Sequence, residues 1–199
     1  MAIDFYFVCV SPWAFIGIDK LNELSISYGR SINFKPIDLI SLWKEAGAGK
    51  PLKDRPAVLK DYRLIELRRW TEWRKKSMNI NPKHFPVPFN PSSRAIIAAL
   101  QSDLDGYKIT RAIMSGCWVE DKNISNPDDL KSIISGIGMD AQHILEHSNS
   151  NEVTEEMERN TQEALSRGLW SVPSYVVDQE IFYGQDRLEM IDWILSNNN

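Results

Sequence analysis

Four residues, Ser11-Pro12-Trp13-Ala14, join an apolar run ending at Val10 to a helix-like run starting at Phe15. Serine is a good N-cap, and proline suits the first helical position. A hydroxyl and free backbone N–H groups therefore meet at the positive end of a helix dipole. Such a place favours a phosphate, a carboxylate or a thiolate. Two later stretches could act with it. Val172-Pro173 opens an extended run. Proline is tolerated at the first residue of a strand, and a cis bond there would expose the Val172 N–H and C=O to a ligand peptide. Gly184-Gln185-Asp186-Arg187 precedes the last helix. Asp186 can cap that helix, worth roughly 0.3–1 kcal/mol. Alternatively, N–H groups at 185 and 186 take the carboxylate of an amino acid while Asp186 pairs with its ammonium.

The other reactive side chains point to structure. Cys9 and Cys117 offer neither a disulfide framework nor metal-ligand spacing, and each reads as buried. His143 and His147 share a helix face, but no third ligand accompanies them or His84, so no metal site is expected. Arg68-Arg69 and Arg74-Lys75-Lys76 read as the solvated face of a helix whose apolar stripe is Leu64, Leu67, Trp70 and Trp73. A net charge of −4 argues against a nucleic-acid partner. No apolar run approaches the ~20 residues of a membrane span, and no basic-then-apolar leader is visible, so a cytoplasmic protein is expected.

The elements that must position these residues come in a recognisable order. Residues 2–10 read as a central strand, 12–28 as a helix closed by Gly29, and Ile32 to Ile37 as a second strand. Strand, helix and strand in this span make a βαβ unit with parallel pairing. From 38 to about 165 the signals are helical. Ser92 or Ser93 can cap the helix carrying Ala95 to Leu100, and Asn126-Pro127-Asp128-Asp129 is a strong helix start. Residues 81–91 hold four prolines, Pro82, Pro86, Pro88 and Pro91, and form a stiff loop. Strand pattern returns at Ser174 to Val177 and Ile181 to Tyr183, a hairpin turning at Asp178-Gln179-Glu180, before a last helix. The expected organisation is an α/β sheet domain, 1–37 and 151–199, with a helical insertion domain at 38–150.

This layout resembles the DsbA-like branch of the thioredoxin superfamily, and most closely the 2-hydroxychromene-2-carboxylate isomerases, grouped with kappa-class glutathione transferases. The matching residues are Asp4-Phe5-Tyr6-Phe7, Ser11-Pro12, Tyr28-Gly29, Ile37-Asp38-Leu39, Asp61-Tyr62, Arg69-Trp70, Phe85-Pro86, Val172-Pro173 and Gly184-Gln185-Asp186-Arg187. DsbA-like relatives carry Cys-Pro-x-Cys where this chain has Ser11-Pro12-Trp13-Ala14, so dithiol chemistry at that site is excluded. The resemblance implies a thioredoxin-like fold with a large helical insertion, a homodimer, and glutathione as cofactor. By that analogy Ser11 donates to the glutathione sulfur. Val172 pairs with the cysteinyl backbone beside cis-Pro173, and Gln185 and Asp186 hold the γ-glutamyl end next to Tyr183 and Gly184. Trp13, Trp43, Lys53, Phe89 and Trp118 are the expected substrate-cleft residues. The implied activity is glutathione-dependent isomerisation of an aromatic substrate in aromatic-compound degradation. The alternatives are a transferase or peroxidase acting on electrophiles, or an idle thioredoxin-fold binding protein. The chain departs from the family at Val8, Ala14, Phe15, Ala48 and Leu59, which leaves the substrate open.

Overall fold

The computed structural model describes residues 2–197; Met1 and residues 198–199, at the ends of the expected sheet domain, lie outside them. Strands β1 (Ile3–Phe7), β2 (Ile32–Pro36), β3 (Ser174–Val177) and β4 (Glu180–Tyr183) form one sheet of order β2-β1-β3-β4. β1 runs parallel to β2 and antiparallel to β3, and β4 closes the hairpin with β3. The helices are α1 (Pro12–Tyr28), α2 (Leu39–Ala46), α3 (Ala57–Trp73), α4 (Asn90–Gln101), α5 (Gly106–Trp118), α6 (Pro127–Gly136), α7 (Ala141–His147), α8 (Asn151–Ser166) and α9 (Leu188–Asn197).

β1 is apolar at every position but Asp4 because both of its faces are covered. Side chains alternate across a strand. Ile3, Phe5 and Phe7 therefore enter one core with Phe15, Ile18 and Leu21 of α1 and Leu188 of α9. Tyr6, together with Val8 just past the strand, enters a second core with Leu39 and Leu42 of α2 and Ala164 of α8. Each large apolar side chain so buried contributes about 1.5–3 kcal/mol. The first core continues into Ile96 of α4, Ile113 of α5 and Leu130 of α6. Sheet and helical segment thus share one interior rather than two.

Three local expectations shift. The strand expected through residue 10 stops at Phe7, because the Ser11 N–H donates to the Val8 C=O at 3.0 Å and turns the chain into α1. α4 starts at Asn90, ahead of the two serines; Pro91 needs no N–H donor in a first turn, so the helix runs back through it. Ser92 and Ser93 are then fully buried, and the Ser92 hydroxyl donates to the Phe89 C=O at 2.9 Å. The hairpin turn is two residues, Asp178 (φ 49°) and Gln179 (φ 74°), so Glu180 already pairs with Val177. The cap at Asn126 forms as read, its side chain accepting from the Asp128 and Asp129 N–H groups at 2.9 and 3.1 Å.

Candidate functional site

At the start of α1, Ser11 is extended (φ −77°, ψ 116°) and its Oγ accepts from the Ala14 N–H at 3.2 Å. Pro12 has no N–H to give, and the Trp13 N–H has no partner among the described residues. The Ser11 hydroxyl proton and the Trp13 amide are both left for whatever lies on the helix end. Ser11 is only 8 % exposed. Hydrogen bonds to an anion are strong where water is scarce.

Opposite stands the Val172-Pro173 peptide, which is cis. The Val172 N–H and C=O have no partner among the described residues, whereas the Pro173 C=O accepts from the Gly184 N–H at 2.9 Å. Gly184 sits at φ 101°, and a Cβ there would lie 2.3 Å from Asp186 Oδ1. Glycine therefore lets the Asp186 carboxylate fold back over the loop, where Arg187 pairs with it at 2.8 Å. Gly17 of α1 is equally demanded. A Cβ on it would fall 2.8 Å from Gln185 Cβ, so its absence brings α1 close to this loop.

Gln185 is buried, and Arg74 holds it from behind. Arg74 Nε donates to Gln185 Oε1 at 2.9 Å, and Nη2 donates to the Gln185 C=O at 3.1 Å. The Gln185 carboxamide oxygen is thus taken by Arg74, and its backbone N–H and Nε2 amide are without partners among the described residues. This overturns part of the solvated-face reading for 74–76. Arg74 also pairs with Glu189 at 2.9 Å. Lys76 pairs with Asp19 at 3.0 Å and lies 4.0 Å from the centre of the Phe15 ring. The end of α3 lands on α1 and α9, and that landing buries them. Asp19 also accepts from Tyr107 at 2.9 Å and Arg111 at 2.8 Å. Burial pushes the Asp19 carboxyl up, but the Lys76 charge and these hydrogen bonds outweigh it and hold its pKa below the ordinary range.

Between these walls runs one cleft made of two adjoining cavities. The groove of about 310 Å³ is lined by Trp13, Glu66, Trp70, Val172, Pro173, Tyr183, Gly184, Gln185 and Asp186, and the cavity of about 400 Å³ by Ser11, Trp13, Trp43, Lys53, Phe89, Val172 and Tyr183, among others. Trp13, Val172 and Tyr183 belong to both. Volumes of this size suit small-molecule ligands. Every sequence-predicted site residue except Trp118 therefore faces the cleft. Trp118 is fully buried in the core with its ring 4.9 Å from that of Phe85, and Phe85, not Trp118, meets the cavity. Of the family departures, Val8 lines the cleft; Ala14 and Phe15 are core, and Ala48 and Leu59 are elsewhere.

Sequence reasoning missed Arg55 and Arg63, which also line the larger cavity. A signal for Arg63 existed. It lies four residues before Leu67 on the stripe side of α3, an unusual place for a charge. Burial raises the Cys9 and Cys117 thiols to about 12, so neither is a thiolate near neutral pH. Among the described residues no three His, Cys, Asp or Glu cluster as metal ligands, and no helix is long and apolar enough to cross a membrane.

A mixed sheet with a capped helix start facing a cis-proline matches the DsbA-like thioredoxin domain, whose model covers residues 2–196. The chain belongs to the DsbA-like thioredoxin family. This DsbA-like chain is similar to a 2-hydroxychromene-2-carboxylate isomerase of Pseudomonas putida, 27% identical over 195 residues covering 96% of this chain and 93% of the relative. It is also similar to one of Sphingobium xenophagum, 27% identical over 194 residues covering 96% and 95%. In fold it resembles a solved 2-hydroxychromene-2-carboxylate isomerase with a TM-score of 0.84 at 22% identity, over 99% of this chain and 95% of the other. A structure of the cytosolic disulfide reductase DsbM from Pseudomonas aeruginosa with GSH aligns at a TM-score of 0.70 and 12% identity, over 98% and 100%.

Proposed function

We propose that this chain is a glutathione-dependent isomerase acting on an aromatic substrate of the 2-hydroxychromene-2-carboxylate type. The observation that carries the reading is a set of unused hydrogen-bonding groups on facing walls of one cleft. The Ser11 hydroxyl and Trp13 N–H stand on one side, and the Val172 N–H and C=O on the other. A free peptide edge beside an anion-favouring helix start fits a thiol-bearing peptide. The names of the relatives support the isomerase chemistry, and the DsbM structure with GSH is a fold relative solved with that peptide.

Ser11 would donate to the sulfur, with α1 and the Trp13 N–H adding to the stabilisation of negative charge. Val172 would bond the cysteinyl backbone through its N–H and C=O. The Gln185 N–H and the Asp186 carboxylate would receive the γ-glutamyl end, with Arg187 as a competitor for Asp186. When bound, glutathione supplies the nucleophilic thiolate whose reversible addition to an unsaturated carbon lets the ring open and the double bond turn. The chain itself brings no thiolate to the cleft, since Ser11 and Ala14 are not cysteines and Cys9 and Cys117 are buried.

The test is glutathione binding by calorimetry together with the thiolate absorbance of the bound peptide. A hydrogen bond to a charged group is worth about 1.5–3 kcal/mol. At 1.36 kcal/mol per unit, Ser11→Ala should raise the bound thiol pKa by about 1–2 units. An unchanged pKa removes Ser11 from this role, and absence of glutathione binding at millimolar concentration removes the reading. A product released with glutathione attached would mark a transferase.

A further inference from the structure

The larger cavity has flat aromatic walls, with Trp13, Trp43 and Phe89 among its lining, and its charges are all of one sign. Lys53, Arg55 and Arg63 line it, and no Asp or Glu does. Arg55 is partly satisfied, donating from Nε to the Lys50 C=O at 2.9 Å with its guanidinium 5.9 Å from the Trp43 ring centre. Arg63 has only an aromatic face. Its guanidinium lies 5.3 Å from the centre of the Phe85 ring, and it makes no ion pair or side-chain hydrogen bond among the described residues. Burial, with the Arg55 charge adding to it, lowers Arg63 to about 10, so it stays protonated near neutral pH in a poorly hydrated place. Five N–H donors held against a cavity wall with no carboxylate, and bonded to none of its oxygens among the described residues, are left for an acceptor on a ligand.

We propose that Arg63 is the carboxylate anchor of this cavity, and that the cavity selects planar aromatic acids over neutral aromatics of the same shape. The ring would lie against the Trp13, Trp43 and Phe89 faces and the carboxylate would take the guanidinium fork, a bidentate geometry lysine cannot copy. The assignment rests on the isomerase reading in placing substrate here, and it names the residue that reads the substrate's charge. It also separates this site from one serving neutral electrophiles.

The probes are 2-naphthoate and 2-naphthamide, titrated without glutathione against the wild type and Arg63→Met by tryptophan fluorescence and calorimetry. The wild type should bind the acid roughly tenfold or more tighter than the amide, the size of a charge-assisted pair. In Arg63→Met that preference should vanish while the amide affinity stays within about twofold. A wild type that does not discriminate overturns the proposal, as does a preference that survives in Arg63→Met. Should Arg63→Met fail to fold, Arg63→Lys decides: the proposal expects a severalfold smaller acid preference, and an undiminished one overturns it. Glutathione titrations run in parallel separate the two readings. If Arg63→Met loses glutathione while keeping the naphthoate preference, the guanidinium belongs to the peptide and the proposal falls. If the wild type discriminates the acids but binds no glutathione, the isomerase reading falls and the Arg63 site stands.

Discussion

Arg63 and Arg74 lie on nearly the same face of one helix run, eleven residues and about three turns apart, with Leu67 and Trp70 between them. They meet opposite surroundings. Arg74 is stacked near Trp70 and Trp73 and ends on Gln185 and Glu189. Its neighbour Lys76 ends on Asp19. Arg63 ends on the Phe85 ring and an open cavity. The difference separates two uses of buried positive charge. Where acceptors are built in, the cation is part of the framework and holds a binding loop in place. Where they are left out, the cation costs stability and is available to a ligand.

Removing an acceptor from the compensated end should have the largest effect. Asp19→Ala leaves Lys76, whose side chain is 8 % exposed, without its partner. Stranding a buried charge costs about 3 kcal/mol. For a chain of this size that lowers Tm by about 6–12 °C in a calorimetric scan. A loss under about 1 kcal/mol would mean that the Asp19 cluster is not part of the framework.

Arg74→Met comes next. Loss of its bonds to Gln185 should cost about 2 kcal/mol by denaturant titration and loosen the loop, weakening glutathione about tenfold. Arg63→Met is the counterpart, expected to leave stability within about 0.5 kcal/mol of wild type or to raise it, since a poorly hydrated charge is removed. Equal costs for the two arginines would break the comparison.

The smallest effect is in acid. The Asp19 carboxyl is held below its ordinary value of ~3.9 in the folded chain. Its contribution is therefore complete above that value and is lost as pH falls through the lower folded one. Asp19→Asn should lie below wild type near neutral pH, with the gap closing below about pH 4. A constant gap would show that the carboxyl's charge is not what Lys76, Arg111 and Tyr107 respond to.

Much of the fold was legible because its signals are local. Ser11 as a cap, Gly29 ending α1, Asn126 opening α6 and the hairpin at Asp178 each follow from a few adjacent residues. The candidate site was legible where it sits on such signals: at the helix start, at Val172-Pro173 and at Gly184 to Asp186. It was missed at Arg63, whose one signal was a charge on the stripe side of α3, and was not legible at Trp118, whose aromatic bulk suits a cavity wall and a core alike. Only the placement of Phe85 between Trp118 and the cavity distinguishes them.

By itself, then, the sequence determined the βαβ start, the capped anion-favouring joint at Ser11 and the absence of a dithiol there. Those depend on hydrogen bonds and rotamers within a turn or two of chain. Tertiary structure decided which charges are answered. Arg74 meets Gln185 across 111 positions and Lys76 meets Asp19 across 57, whereas Arg63 meets no acceptor among the described residues. Charge compensation is set by distance in space and by the water left around each group, and neither is written in the spacing of residues along the chain.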